Sequence, residues 1–144
     1  MARTSTYLHF SHRKAEEAFT FYKSVFGTEF TGPIVRFGDL PHLEGQPKMS
    51  DEIKDLIMNV TLPITGGHLL MGNDTPESMG VVNQGNNMDI CIDPDTRAEA
   101  DRIFAALSEG GNAEAPLQDF GDDYFGTVVD KFGTQWMMYC TAKS

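Results

Sequence analysis

The amino-acid sequence predicts an α+β fold built from two βαβββ halves, and three observations carry this reading. A strand followed by an amphipathic helix occurs twice, each helix closes on a glycine, and each is followed by three further segments of strand character.

In the first half, Tyr7-Leu8-His9-Phe10 reads as a strand, and Ala15, Ala18, Phe19, Tyr22 and Phe26 then recur at helical spacing up to a capping Gly27. In the second, Met88-Asp89-Ile90-Cys91-Ile92 alternates as a strand, Asp93-Pro94-Asp95-Thr96 supplies a turn and helix start, and Ala100, Ile103, Phe104 and Leu107 form an apolar stripe ending at Gly110. Ala15 and Ala98, Glu16 and Glu99, Phe21 and Phe104, and Gly27 and Gly110 are each 83 residues apart, which points to internal duplication.

The remaining strands are expected at Thr28 to Phe37, Leu56 to Ile64 and His68 to Met71, with Thr65-Gly66-Gly67 as a hairpin turn. Their counterparts are Asn112 to Phe120, Phe125 to Asp130 and Gln135 to Cys140, with Lys131-Phe132-Gly133-Thr134 between the last two. The organisation is one domain, 1–144, with a first module at 1–74, a linker at 75–86 and a second module at 87–144. Residues 38–55 form a Pro-, Gly- and charge-rich insertion, in which Ser50-Asp51-Glu52-Ile53 reads as a capped short helix.

Composition bounds the function. With 144 residues and 40% hydrophobic content, the chain can bury a core without disulfides or structural metal. A net charge of −10 disfavours nucleic acid and anionic membrane surfaces as partners. There is no apolar run of spanning length and no signal-peptide pattern at Met1 to Thr6, so a cytoplasmic location without membrane attachment is expected. Cys91 and Cys140 lie in strand-like runs without CxxC spacing and are read as buried free thiols.

The segment Ala15 to Gly27 resembles the first helix common in glyoxalase-like proteins. Tyr124-Phe125-Gly126-Thr127-Val128-Val129-Asp130-Lys131-Phe132-Gly133-Thr134-Gln135-Trp136 is similar to the signature of the PhnB-like branch of the vicinal oxygen chelate superfamily, which contains glyoxalases, bleomycin resistance proteins and extradiol dioxygenases. Leu70-Met71-Gly72-Asn73-Asp74 resembles a segment of the same branch. The resemblance implies half-barrel sheets, a pocket on their concave faces and a homodimer. Some relatives are called demethylubiquinone methyltransferases, but no Gly-rich strand-to-helix loop for a nucleotide-type cofactor occurs in this chain.

Superfamily enzymes hold a divalent metal ion with His and Glu on the first, fourth, fifth and eighth strands. The matching positions fall near Tyr7, Met71, Asn87 and Met137, poor ligands for zinc, nickel or iron, so no cofactor is expected. An alternative ligand set is His9, Asp74 and Asp89, with His68 also near the fourth strand. Alternation places Tyr7 and His9 on one face, and Asn87 and Asp89 on one face, so His9 and Asp89 could also form a hydrogen-bonded pocket pair. His12 reads as a solvated residue at the helix start, and Asp122-Asp123 as a turn.

Two functions follow. The first is binding of a small, partly aromatic molecule in a pocket lined by Tyr7, His9, Met58, Met71, Asn87, Asp89, Phe125, Met137 and Tyr139, with Trp136 fitting either the pocket or the core. The second is a metal-dependent lyase, isomerase or dioxygenase in which His9, Asp74 and Asp89 hold the ion and Tyr7 or Tyr139 donates a proton, with Tyr7 and His9 as the catalytic candidates.

Overall fold

The structure is a computed structural model that describes residues 2–144. The chain divides into two compact units, one ending at Val82 and the other running Asn83–Ser144, a boundary inside the segment read as a linker. The first contains β1 (Thr6–Phe10), α1 (Ala15–Phe26), β2 (Val35–Arg36), α2 (Asp51–Lys54), β3 (Ile57–Pro63) and β4 (Leu69–Asp74). The second contains β5 (Ile90–Ile92), α3 (Arg97–Ser108), β6 (Asn112–Phe120), β7 (Asp123–Val129) and β8 (Gln135–Cys140). The strand orders are the same, β1-β4-β3-β2 and β5-β8-β7-β6, and in each the first strand runs parallel to the last while the other neighbours are antiparallel. This shared topology is what a duplicated βαβββ plan produces.

Burial corrects the register of the repeat. The buried positions of α1, Ala15, Ala18, Phe19 and Tyr22, correspond to buried Ala100, Ile103, Phe104 and Leu107 of α3, each 85 residues on. The spacing of 83 instead matches buried Ala15 to exposed Ala98. Identity of small and acidic residues is cheap in amphipathic helices, whereas the buried stripe is fixed by contact with the sheet.

Each helix covers one face of its sheet. In the first unit Phe19 packs edge-on to Phe10 and Tyr22, with ring centroids 6.1 and 5.6 Å apart. Val60, Leu62 and Leu70 complete this core. Gly72 lies where β4 passes beneath α1, and a Cβ there would stand 2.6 Å from Phe19 Cε2 and 2.9 Å from the Leu8 carbonyl. In the second unit Trp136, Met138, Val128, Ile103 and Leu107 form the corresponding layer. Trp136 is 1% exposed and therefore belongs to the core, not to a ligand face.

The two ends of α1 show how the sequence sets its limits. Gly27 takes a left-handed φ of 64° and returns its N–H to the Lys23 carbonyl. At the other end no side chain of the preceding turn caps the helix, and the buried Asp74 carboxylate does so from β4, accepting from Ala15 N at 2.9 Å and, through its second oxygen, from Ile57 N at 2.8 Å. His12 and Arg13 are not helix-start residues but two consecutive non-glycine residues at φ of 59° and 61°. α3 starts conventionally, with the Thr96 hydroxyl accepting from Glu99 N at 3.1 Å, and ends at Ser108, before Gly110.

Several strand limits differ from expectation. Thr28 to Ile34 is not strand, leaving a two-residue β2 at the sheet edge, and β5 begins at Ile90 rather than Met88. β6 matches its expected span but is irregular, with register shifts on both sides of Ala115. It tolerates Pro116 because it is an edge strand. In the insertion α2 forms, although Ser50 caps it without a side-chain hydrogen bond. Among the described residues no helix is long and apolar enough to cross a membrane.

Gly72→Ala forces Phe19 or the β1 main chain to move, so it is expected to destabilise the fold by about 1–3 kcal/mol in urea unfolding without changing the strand order.

Candidate functional site

Because one helix serves each sheet, the opposite face of each sheet lacks a helix of its own unit. Strand alternation determines which side chains it carries. In the first unit β1 contributes Tyr7 and His9, and β4 contributes Leu69, Met71 and Asn73, with Tyr7 paired to Met71 and His9 to Asn73. Thr61 of β3 lies beside Met71 in the same row. The Tyr7 and His9 rings lie 5.1 Å apart, tilted by 39°. The Tyr7 hydroxyl donates to the Met58 carbonyl at 3.2 Å, and His9 Nδ1 is 2.8 Å from Asn73 Oδ1. Met58 thus joins this group through its main chain. His68 stands at the start of β4, its Nε2 bonded to Thr6 Oγ1 at 2.8 Å.

In the second unit β5 contributes Cys91, paired to Met137 of β8, while Thr127 and Phe125 of β7 pair with Met137 and Tyr139. Phe125 links an aromatic row, 5.9 Å from Phe120 and 6.3 Å from Tyr139 between ring centroids. The Tyr139 hydroxyl donates to Asp123 Oδ2 at 2.7 Å. That hydrogen bond, together with the Asp123 charge, holds the phenol above its ordinary pKa, so Tyr139 is a weak proton donor.

Several expected site residues fall elsewhere. Asp74 is one residue past Asn73 and therefore faces α1, where both oxygens serve main-chain N–H groups. It is unsuited to join His9 as a metal ligand. Asp89 is exposed and precedes β5, in the second unit, while His9 is in the first; Asn87 is also outside the strand. The position on the fifth strand that answers Tyr7 is Cys91, which is exposed rather than buried; Cys140 is buried, as expected. Partial burial, then Asp93 and Asp89, push the Cys91 thiol up and keep it protonated at neutral pH. Among the described residues, no group of three or more His, Cys, Asp or Glu could hold a metal ion.

Asn73, Cys91 and Phe120 escaped the sequence reading. Alternation is the signal for two of them: Cys91 shares parity with Asp89, and Asn73 with Met71, although the strand expected at His68 to Met71 stops short of Asn73 and β4 runs on to Asp74.

A separate cavity of about 330 Å³ lies where the insertion meets α1, lined by Arg13, Glu16, Arg36, Asp55, Leu56 and Asp74. Its charges are largely committed. Arg36 bonds to Glu16 Oε2 and to the Asp55 carbonyl, both at 2.8 Å, and Arg13 to the Glu52 carbonyl at 2.8 Å.

A repeated βαβββ unit whose sheet carries its own helix on one face only defines the glyoxalase-like fold class. Residues 2–139 match the family model described as 3-demethylubiquinone-9 3-methyltransferase, and the chain belongs to that PhnB-like family. It is similar to the structure of PA1353 from Pseudomonas aeruginosa, with a TM-score of 0.82 and 31% identity over 99% of both chains. It is similar also to a PhnB protein from Bacillus cereus, with a TM-score of 0.69 and 26% identity over 96% of this chain and 99% of the other. A glyoxalase/bleomycin resistance protein/dioxygenase family enzyme from Burkholderia phytofirmans PsJN shares the fold, with a TM-score of 0.59 at 16% identity over 94% and 97%. The methyl-donor cofactor implied by the family description finds no glycine cradle here: the strand-to-helix connections read Ser11-His12-Arg13-Lys14 and Asp93-Pro94-Asp95-Thr96.

Asp123→Asn removes the charge that opposes ionisation of Tyr139. Ultraviolet titration, referenced to Tyr139→Phe, is expected to show the phenol pKa falling toward its ordinary value.

Proposed function

We infer that this protein binds a small, partly aromatic molecule, using the sheet faces that carry no helix of their own unit rather than a metal centre. The observation that carries the reading is the row of Tyr7, His9, Met71 and Asn73: an aromatic face, a polarizable thioether and a tethered imidazole on adjacent strands. Aromatic and thioether surfaces accept flat apolar groups, and a few fixed polar atoms orient them. The second unit supports the same chemistry with Met137, Phe125, Phe120 and Tyr139. Phe120 is 72% and Tyr139 41% exposed, aromatic surface of the kind that marks a binding face. The reading includes a homodimer, in keeping with further exposed Met79, Val81 and Met88.

The metal-dependent lyase, isomerase or dioxygenase reading has weaker support. The paired positions on the first and fourth strands are Tyr7 and Met71, and those on the fifth and eighth are Cys91 and Met137; neither pair is a zinc, nickel or iron set. Elemental analysis of purified protein is expected to find no stoichiometric transition metal. One equivalent that disappears in His9→Ala would overturn the preferred reading.

The binding reading is tested by screening small aromatic and thiol compounds through thermal shift and the NMR signals of Met71 and Met137 methyl groups. At least one compound is expected to bind, and Tyr7→Ala is expected to weaken it about tenfold, the scale of one lost aromatic contact. Silence across a broad panel would sink the proposal.

A further inference from the structure

We propose that Asn73 is a positioning residue that fixes His9 as the Nδ1–H tautomer, so that His9 Nε2 presents a lone pair to a ligand carrying a weakly acidic O–H, such as a phenol or enol. The ligand half of this proposal rests on the small-molecule reading above; the tautomer half stands on geometry within the first unit.

Parallel pairing sets His9 of β1 directly beside Asn73 of β4, on the same face, and His9 Nδ1 lies 2.8 Å from the amide oxygen. An amide oxygen only accepts, so with the Asn73 amide in this orientation the imidazole nitrogen facing it carries the proton. In a neutral ring the other nitrogen is then an acceptor. Among the described residues Nε2 meets no hydrogen-bond partner, and His9 is exposed. The ring is held in place from both sides: by Asn73 at Nδ1, and by Tyr7, whose ring sits 5.1 Å away and whose hydroxyl is itself anchored on the Met58 carbonyl. A hydroxyl-bearing aromatic ligand therefore finds an apolar surface in Tyr7 and Met71 and one oriented acceptor in His9. The selectivity is polar: a ligand in which the O–H is replaced by O–CH₃ keeps the apolar contact and loses the hydrogen bond.

Two measurements on the full-length protein test this. Long-range ¹H–¹⁵N spectra, with His9 assigned by comparison with His9→Gln, are expected to show protonated Nδ1 and bare Nε2 in the native protein. Asn73→Leu is expected to abolish that tautomer preference, and Asn73→Asp, which keeps an acceptor, to restore it. An Nε2–H tautomer in the native protein, or no change in Asn73→Leu, would overturn the role of Asn73. Phenol and anisole then serve as paired probes, titrated by chemical shift. Phenol is expected to bind about tenfold more tightly than anisole, the ratio one hydrogen bond of ordinary net strength supplies, with the difference lost in Asn73→Leu and recovered in Asn73→Asp. Equal binding of the two would refute the acceptor role of Nε2. Binding of neither would count against the small-aromatic reading itself, while the tautomer spectra still decide on Asn73.

Discussion

A four-stranded sheet has two faces, and each unit of this protein provides only one long helix. Every other property of the chain follows from that imbalance. Residues beneath the helix are held to close packing, as at Gly72 under Phe19 and at Trp136 in the second unit. Residues of the opposite parity escape that demand and diverge in character between the copies. In the first they are Tyr, His, Met and Asn with fixed polar contacts; in the second they are mainly Phe, Met and Tyr with an exposed thiol. The two units therefore share a close-packed apolar face beneath the helix and differ in the side chains of the opposite face.

Two buried carboxylates hold this arrangement, each by receiving main-chain hydrogen. Asp74 joins the end of β4 to the start of α1 and to β3, and its charge lies at the positive end of the helix. Asp130 closes the turn before β8, accepting from Phe132 N and Thr134 N through one oxygen and from Trp136 Nε1, at 2.9 Å, through the other. Both are 3% exposed, and polar side chains so far from water are tolerated because their lone pairs are met. The Asp-Lys-Phe-Gly turn and its following Trp, the most specific part of the family resemblance, therefore mark a folding requirement of the second unit rather than a reactive group.

Much of the fold was legible in the sequence because its signals are local. The two helical stripes, the Gly27 end of α1, the Thr65-Gly66-Gly67 turn and the Thr96 start of α3 require nothing from distant residues. The site was less legible because it depends on parity and pairing. Asn73 and Asp74 are chemically alike as candidates, yet one step along β4 carries the second to the helix side. Cys91 shares parity with Asp89, yet a cysteine inside an alternating apolar run reads as core, and only its pairing with Met137 sets it on the exposed side. The short β2 was overestimated because Thr28 to Phe37 has strand composition, while β3 forms ladder pairs with Val35 and Arg36 and meets the earlier residues through isolated bonds, from Thr31 N to the Thr61 carbonyl and from the Thr28 hydroxyl to the Pro63 carbonyl.

The strained corner between β1 and α1 connects the two faces. A chain leaving β1 through two consecutive left-handed residues, His12 and Arg13, spends conformational energy that a glycine would not. In return the Arg13 guanidinium reaches the Glu52 carbonyl and ties down the end of the insertion at α2, while Arg36 closes on Glu16 and the Asp55 carbonyl. The insertion is therefore anchored to α1, on the covered side, and its charged cavity is occupied with holding it there. This leaves the Tyr7 and His9 row free of the insertion's charges. The polar side chains of that row are each tied down, Tyr7 on the Met58 carbonyl, Thr61 on Asn59 and His9 on Asn73, and fixed polar atoms are the condition under which a hydrogen bond can select among ligands rather than merely tolerate them.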